Sequence, residues 1–166
     1  MNMDILNREQ AEASKNDLQK ANLMGKYLEG ADLSGGDLSL ANLRKANLAG
    51  ANLKGAKLHK TALSTADVSE ADLSGADLSG AECIATNFTG ASLTGAIFDR
   101  ASVSKAVMID TDLRSAELSN VINLTCQQLQ LARIDKTTRL PNYIKIEWRS
   151  DTEYDCGDRV QRIGEA

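Results

Sequence analysis

One histidine, three cysteines and a recurring set of serines and aspartates are the residues of this 166-residue chain whose types could do chemistry. His59 stands beside Lys57 and Lys60 with no Cys or His at metal-ligand spacing, so a solvated surface imidazole is the reading it supports. Ser34, Ser39, Ser64, Ser69, Ser74 and Ser79 recur at multiples of five, and no histidine is placed to activate any of them. Asp32, Asn52, Asp72 and Asp112 share one register. Carboxylates work as an acid and base pair only across a cleft. No catalytic, cofactor-binding or metal-ligating residue is therefore assigned, and no enzyme is expected.

The elements that must carry these residues follow from one pattern. From Leu18 to Leu118 an apolar residue returns at every fifth position, giving 21 consecutive units such as ANLAG at 46–50 and ADLSG at 71–75. Calling the apolar centre i, the centres are fifteen Leu with Val68, Cys83, Phe88, Phe98, Val103 and Met108. Position i−2 is Ala in fifteen units, and nine of the twelve glycines fall at i+2. A period of five is neither the 3.6 of a helix nor the 2 of a strand, so each unit is a short extended segment plus a corner, with glycine where positive φ is needed. Residues i and i−2 then point the same way, and being apolar or small they point inward.

On these residues the chain resembles the pentapeptide-repeat proteins, whose pattern is [STAV]-[DN]-[LF]-[STR]-G, over residues 16–120. The resemblance implies an all-β solenoid, a right-handed quadrilateral β-helix in which four units make one coil of twenty residues. The centres then sort into four columns: Leu18, Leu38, Leu58, Leu78, Phe98, Leu118; Leu23, Leu43, Leu63, Cys83, Val103; Leu28, Leu48, Val68, Phe88, Met108; and Leu33, Leu53, Leu73, Leu93, Leu113. About five coils at roughly 4.8 Å spacing make a rod roughly 25 Å long, its axis filled by leucine.

The expected organisation is a capping segment over 1–15, the β-helix over 16–120, a C-terminal cap over 121–140, and an extended segment with a mobile tail over 141–166. Open ends would pair with other molecules unless covered. Residues 4–15 lack Gly and Pro, and Asn7 with Gln10 has capping-box spacing for a short helix. Thr125 with Gln128 repeats that spacing, opening a helix through Leu129, Leu131 and Ala132 that ends before Pro141. Residues 143–148 (YIKIEW) alternate loosely, as a strand against the last coil, and from Arg149 the chain is polar. Lys26 departs from the pattern at i−2 and is expected to reach into water.

Cys83 occupies a centre and reads as a small buried hydrophobe. Cys126 and Cys156 fall in the cap and the tail; a disulfide would staple the two together, whereas cytoplasmic thiols stay reduced, and both states are open on the sequence. Net charge is −4 overall and about −3 over the repeats, with no basic tract to attract nucleic acid or an anionic membrane. No stretch is long and apolar enough for a membrane span, and residues 1–10 lack the features of a secretory signal, so a cytoplasmic monomer is expected, the alternative being a mature exported form whose signal has been removed.

The outward faces differ. The Met108 column carries Glu29, Asp67, Glu70 and Asp110 outward with no basic residue. Toward the C-terminal end Ile97, Val107 and Ile109 replace polar residues, a candidate contact patch unless the cap covers it. The expected function is a non-enzymatic structural or protein-binding scaffold, its protein partner unidentified. The alternative implied by the resemblance is a DNA-mimicking gyrase modulator, against which the weak charge counts, since duplex DNA carries about one charge per 1.7 Å.

Overall fold

Through the repeats the centre i and, apart from Asn16 and Lys26, the residue at i−2 turn inward, while i−1, i+1 and i+2 lie on the outside. The computed structural model describes residues 7–158. All twenty-one centres, among them Leu18, Leu23, Leu28, Leu33, Leu38, Leu43, Leu48, Leu53, Cys83, Phe88, Phe98 and Met108, are at most 1% exposed. The fifteen alanines at i−2 are at most 5% exposed. Phe88 and Phe98, in neighbouring columns, meet edge to face at 6.3 Å between centroids. Where threonine replaces alanine, its buried hydroxyl donates to a carbonyl one coil below: Thr61 to Leu38, Thr86 to Leu63 and Thr111 to Phe88, each at 2.8 Å.

Coils stack by parallel bridges between residues twenty apart. One ladder runs Asn22, Asn42, Ala62, Glu82, Ser102, Ile122, and the next, one corner away, runs Tyr27, Asn47, Asp67, Asn87, Val107. Four centres per twenty residues make the coil four-sided. Each bridge is set by three backbone bonds, as where Leu23 N–H donates to Asn42, Asn42 N–H to Ala21 and Gly25 N–H to Arg44, at 2.8–2.9 Å.

Each corner is a four-residue turn in which the N–H of i+3 donates to the carbonyl of i, as Ala51 does to Leu48 at 2.9 Å. Residue i+2 takes the positive φ of a type II turn: nine glycines do so, and eleven other residues, including Leu40, Glu70 and Lys105, accept the same conformation. The Asp or Asn at i−1 explains itself here, because its side chain accepts the N–H of i+1 and holds the turn open to the next unit. Asp72 takes Ser74 at 2.9 Å and Asn47 takes Ala49 at 3.0 Å.

At the N-terminal end, helix α1 (Arg8–Ala13) starts with a capping box between Asn7 and Gln10 and passes through a 3₁₀ turn (Lys15–Asp17) into the first coil. Residues 4–6 of the expected capping helix lie outside the described residues. The carboxylate of Glu12 accepts the Asp32 N–H at 2.9 Å, and the Lys15 carbonyl accepts that of Asp37 at 2.8 Å, so this segment supplies acceptors that a preceding coil would have supplied. Lys26, expected to reach into water from i−2, is half-buried and has an interaction partner.

At the other end the repeat breaks at Asn123, whose φ is 62°, and helix α2 (Cys126–Leu131) follows with a capping box between Thr125 and Gln128. The helix is shorter than the segment up to Pro141, and the coil then resumes: Arg133 bridges Asp112, Arg139 bridges Glu117, and Ile134 is buried. The expected cap over 121–140 is thus a partial sixth coil interrupted by a helix. Strand β1 (Ile144–Trp148) pairs antiparallel with β2 (Tyr154–Asp158), not with the last coil. This corrects the mobile tail expected from Arg149: up to residue 158 the chain turns back as a hairpin, with Trp148 against Tyr154 at 5.3 Å and the Tyr154 hydroxyl donating to the Leu129 carbonyl at 2.6 Å. Residues 159–166 lie outside the described residues.

Candidate functional site

The residues singled out for chemistry are scattered. His59 and the repeating serines sit on the outside of separate turns, and among the described residues no group of three or more His, Cys, Asp or Glu could hold a metal ion. Cys83 is fully enclosed in its column, where burial pushes its thiol up to about 12 and keeps it protonated. The Ser74 hydroxyl, with the turn bond from its N–H adding to it, holds the Asp72 carboxyl below its ordinary value, and Ser39 does the same for Asp37. These carboxylates are committed to structure.

Cys126, the first residue of α2, and Cys156, in β2, are joined as a disulfide with their Cα atoms 5.6 Å apart. The bond and the Tyr154 contact together tie the hairpin to α2.

The apolar patch read from the sequence needs one correction. Val107 and Ile109 flank Met108 on one face and are 38% and 44% exposed. Ile97 is exposed too, but it stands in the ladder Asp77, Ile97, Glu117, two corners away on the opposite face. The neighbours that Val107 and Ile109 do have come from the cap: Ile122 and Leu131, both about half exposed. These four side chains, with Lys105 and Tyr143, line a groove of about 940 Å³. Ile122 carried a readable signal, an apolar residue at an outward i−1 position, but it stood where the repeat was breaking. Leu131 had none, since a leucine in a capping helix reads as a core residue.

Helix α2 lies across the ends of the Val103 and Met108 columns. The buried side chain of Gln128 donates to the Val103 carbonyl at 2.8 Å and to the Ala106 carbonyl at 3.0 Å. The Leu131 carbonyl accepts the Asp110 N–H at 2.8 Å. Between these two anchors the groove stays open.

Against known proteins, the description "Pentapeptide repeats" fits this chain in eight copies, across residues 21–59, 59–95 and 86–122. No curated protein matches the chain. A pentapeptide repeat protein of the Arabidopsis thaliana thylakoid lumen is 35% identical to it with a TM-score of 0.56, the match covering 64% of this chain and 70% of that one. A pentapeptide repeat protein from Nostoc is 32% identical over 82% of this chain and 84% of its own, with a TM-score of 0.28. QnrB1, a plasmid-mediated fluoroquinolone resistance protein, is 18% identical over 71% of this chain and 67% of its own, with a TM-score of 0.40, too distant to bear on activity.

Proposed function

This chain belongs to the pentapeptide repeat family and folds as a right-handed quadrilateral β-helix, and from that premise we propose that it is a non-enzymatic rod that binds another protein. The observation that carries the reading is the gathering of Val107, Ile109, Ile122 and Leu131 around one open groove, while every repeat centre is consumed by the core. Exposed apolar side chains that cluster, instead of scattering singly, mark a contact surface. The catalytic alternative has no support in a cleft bearing paired titratable groups. The gyrase reading comes from the family resemblance alone, and a net charge of about −3 along the repeats is weak beside duplex DNA.

The test is photo-crosslinking from each of the four faces of the folded rod and from the groove, in extract of the native cell. One protein captured reproducibly from one face, and not by a rod of scrambled surface, is the expected result. Uniform labelling from all faces would overturn the reading. A supercoiling assay with gyrase is expected to show no effect at stoichiometric excess, and inhibition there would bring the DNA-mimic role back.

A further inference from the structure

The four ladders do not end alike. Three run past the fifth coil, through Ser102 to Ile122, Asp112 to Arg133 and Glu117 to Arg139. The fourth stops at Val107, because the chain that would form its next rung is helix α2. The backbone records the break. Of the twenty-one centre amides, twenty donate to a carbonyl nineteen to twenty-one residues further on, and Met108 alone has no acceptor among the described residues. The Lys105 N–H likewise lacks the acceptor that its counterpart Lys45 finds in Ser64.

Helix α2 has already closed the edge on either side, with the Gln128 amide on Ala106 and the Leu131 carbonyl on Asp110. What is left is a short stretch of strand edge: the exposed Lys105 with an open N–H, Met108 at the groove floor, and apolar walls of Val107, Ile109, Ile122 and Leu131. Carbonyl oxygens spaced along an extended chain satisfy such donors, and alternate apolar side chains fill such walls. Lys105 is the one charged residue lining the groove, and it makes no ion pair among the described residues. The complementary charge is a carboxylate.

We propose that this groove binds an extended apolar peptide segment of a partner protein that carries an acidic side chain against Lys105, continuing the fourth ladder where α2 interrupts it. The proposal rests on the protein-binding reading and adds the site and the chemistry of the partner.

Fluorescence anisotropy with three labelled heptamers tests it: one with valine at alternate positions and a central aspartate, one with lysine for the aspartate, and one with serine for every valine. The aspartate heptamer is expected to bind at least about fivefold more tightly than the lysine heptamer, and the serine heptamer not to bind. Val107→Ser combined with Ile122→Ser, both at exposed positions, is expected to abolish binding, and Lys105→Glu to invert the charge preference while the circular dichroism spectrum stays unchanged. Equal affinity for the two charged heptamers, or binding retained by the double variant, overturns the proposal. So does sedimentation showing a dimer that the double variant abolishes, since the groove would then hold a second copy. If no heptamer binds while face-specific cross-linking still captures a protein, this inference falls and the protein-binding reading stands.

Discussion

The side-chain amide of Gln128 lies 3.0 Å from the carbonyl oxygen of Ala106, where a further coil would have placed a backbone N–H. One side chain thus does the work of a missing strand, and Glu12 does the matching work for the Asp32 N–H at the other end. Replacing Gln128 by Leu keeps the volume roughly constant and leaves the Ala106 carbonyl buried without a donor. Such a loss costs about 1–3 kcal/mol. Urea unfolding should show the unfolding free energy lowered by that amount and the midpoint shifted down accordingly, and an unchanged midpoint would remove Gln128 from the capping role.

Glu12 makes the N-terminal cap sensitive to acid. The Asp32 N–H, with Arg8 adding to it, holds the Glu12 carboxyl below its ordinary value of about 4.5. A depressed folded value means that the contribution is present above the unfolded value and lost as pH falls through the folded one. Hydrogen-exchange protection of the Asp32 amide should therefore hold at neutral pH and fall away only as the pH drops below the ordinary glutamate value. With Glu12→Gln, which keeps the acceptor but cannot titrate, protection should no longer depend on pH in that range.

Two glycines should respond to alanine for different reasons. Gly75 has φ +66° with open space around a Cβ, so Gly75→Ala meets only the left-handed backbone, about 1–2 kcal/mol. At Gly36 φ is ordinary, but a Cβ would sit 2.8 Å from the Lys15 carbonyl oxygen and 2.9 Å from that of Leu33. Gly36→Ala should cost about 1–3 kcal/mol by overpacking and release the Asp37 amide to exchange, while Gly75→Ala should leave that amide protected.

The thiols offer a third contrast. Native protein should yield no thiol to an alkylating probe, two after reduction under native conditions, and three only after unfolding, because Cys83 stays sealed in its column. Its thiol, pushed up to about 12, also makes the fold weaker in alkali: above about pH 9 the unfolded chain releases the Cys83 proton and the folded chain does not. Cys83→Val should flatten that alkaline slope. For the disulfide, non-reducing peptide mapping should link Cys126 to Cys156. The loop of 30 residues it closes is worth about 3–4 kcal/mol to the cap on the chain-entropy argument.

The β-helix was legible because its information is local and repeated. An inward apolar residue every five positions, most often with Ala two before it and often with Gly two after it, acts within one unit, so the same message recurs through twenty-one units. The capping boxes Asn7–Gln10 and Thr125–Gln128 were readable for the same reason, since both partners lie within one turn. What was not legible depends on contacts between distant segments. The return of the coil at Arg133 and Arg139 needs partners about twenty residues back with the phase shifted by a residue or two, and a strict five-beat count discards them. The hairpin of β1 and β2 relies on the Tyr154 hydroxyl and Cys156 reaching α2. The groove was half visible: Val107 and Ile109 stood out, but their true neighbours Ile122 and Leu131 come from beyond the break, and Ile97 was grouped with them only because it is close in sequence.

Because bridges join residues twenty apart and each unit spans one side, the two ends of the rod are related like the hands of a clock. Duplicating one full coil would lengthen the rod by about one strand spacing, roughly 4.8 Å, and leave the groove pointing as before relative to α1. Inserting a single unit would instead swing the groove by a quarter turn. The number of units between the ends is therefore a dial that sets direction as well as distance, and a partner gripping both ends would notice five added residues more than twenty.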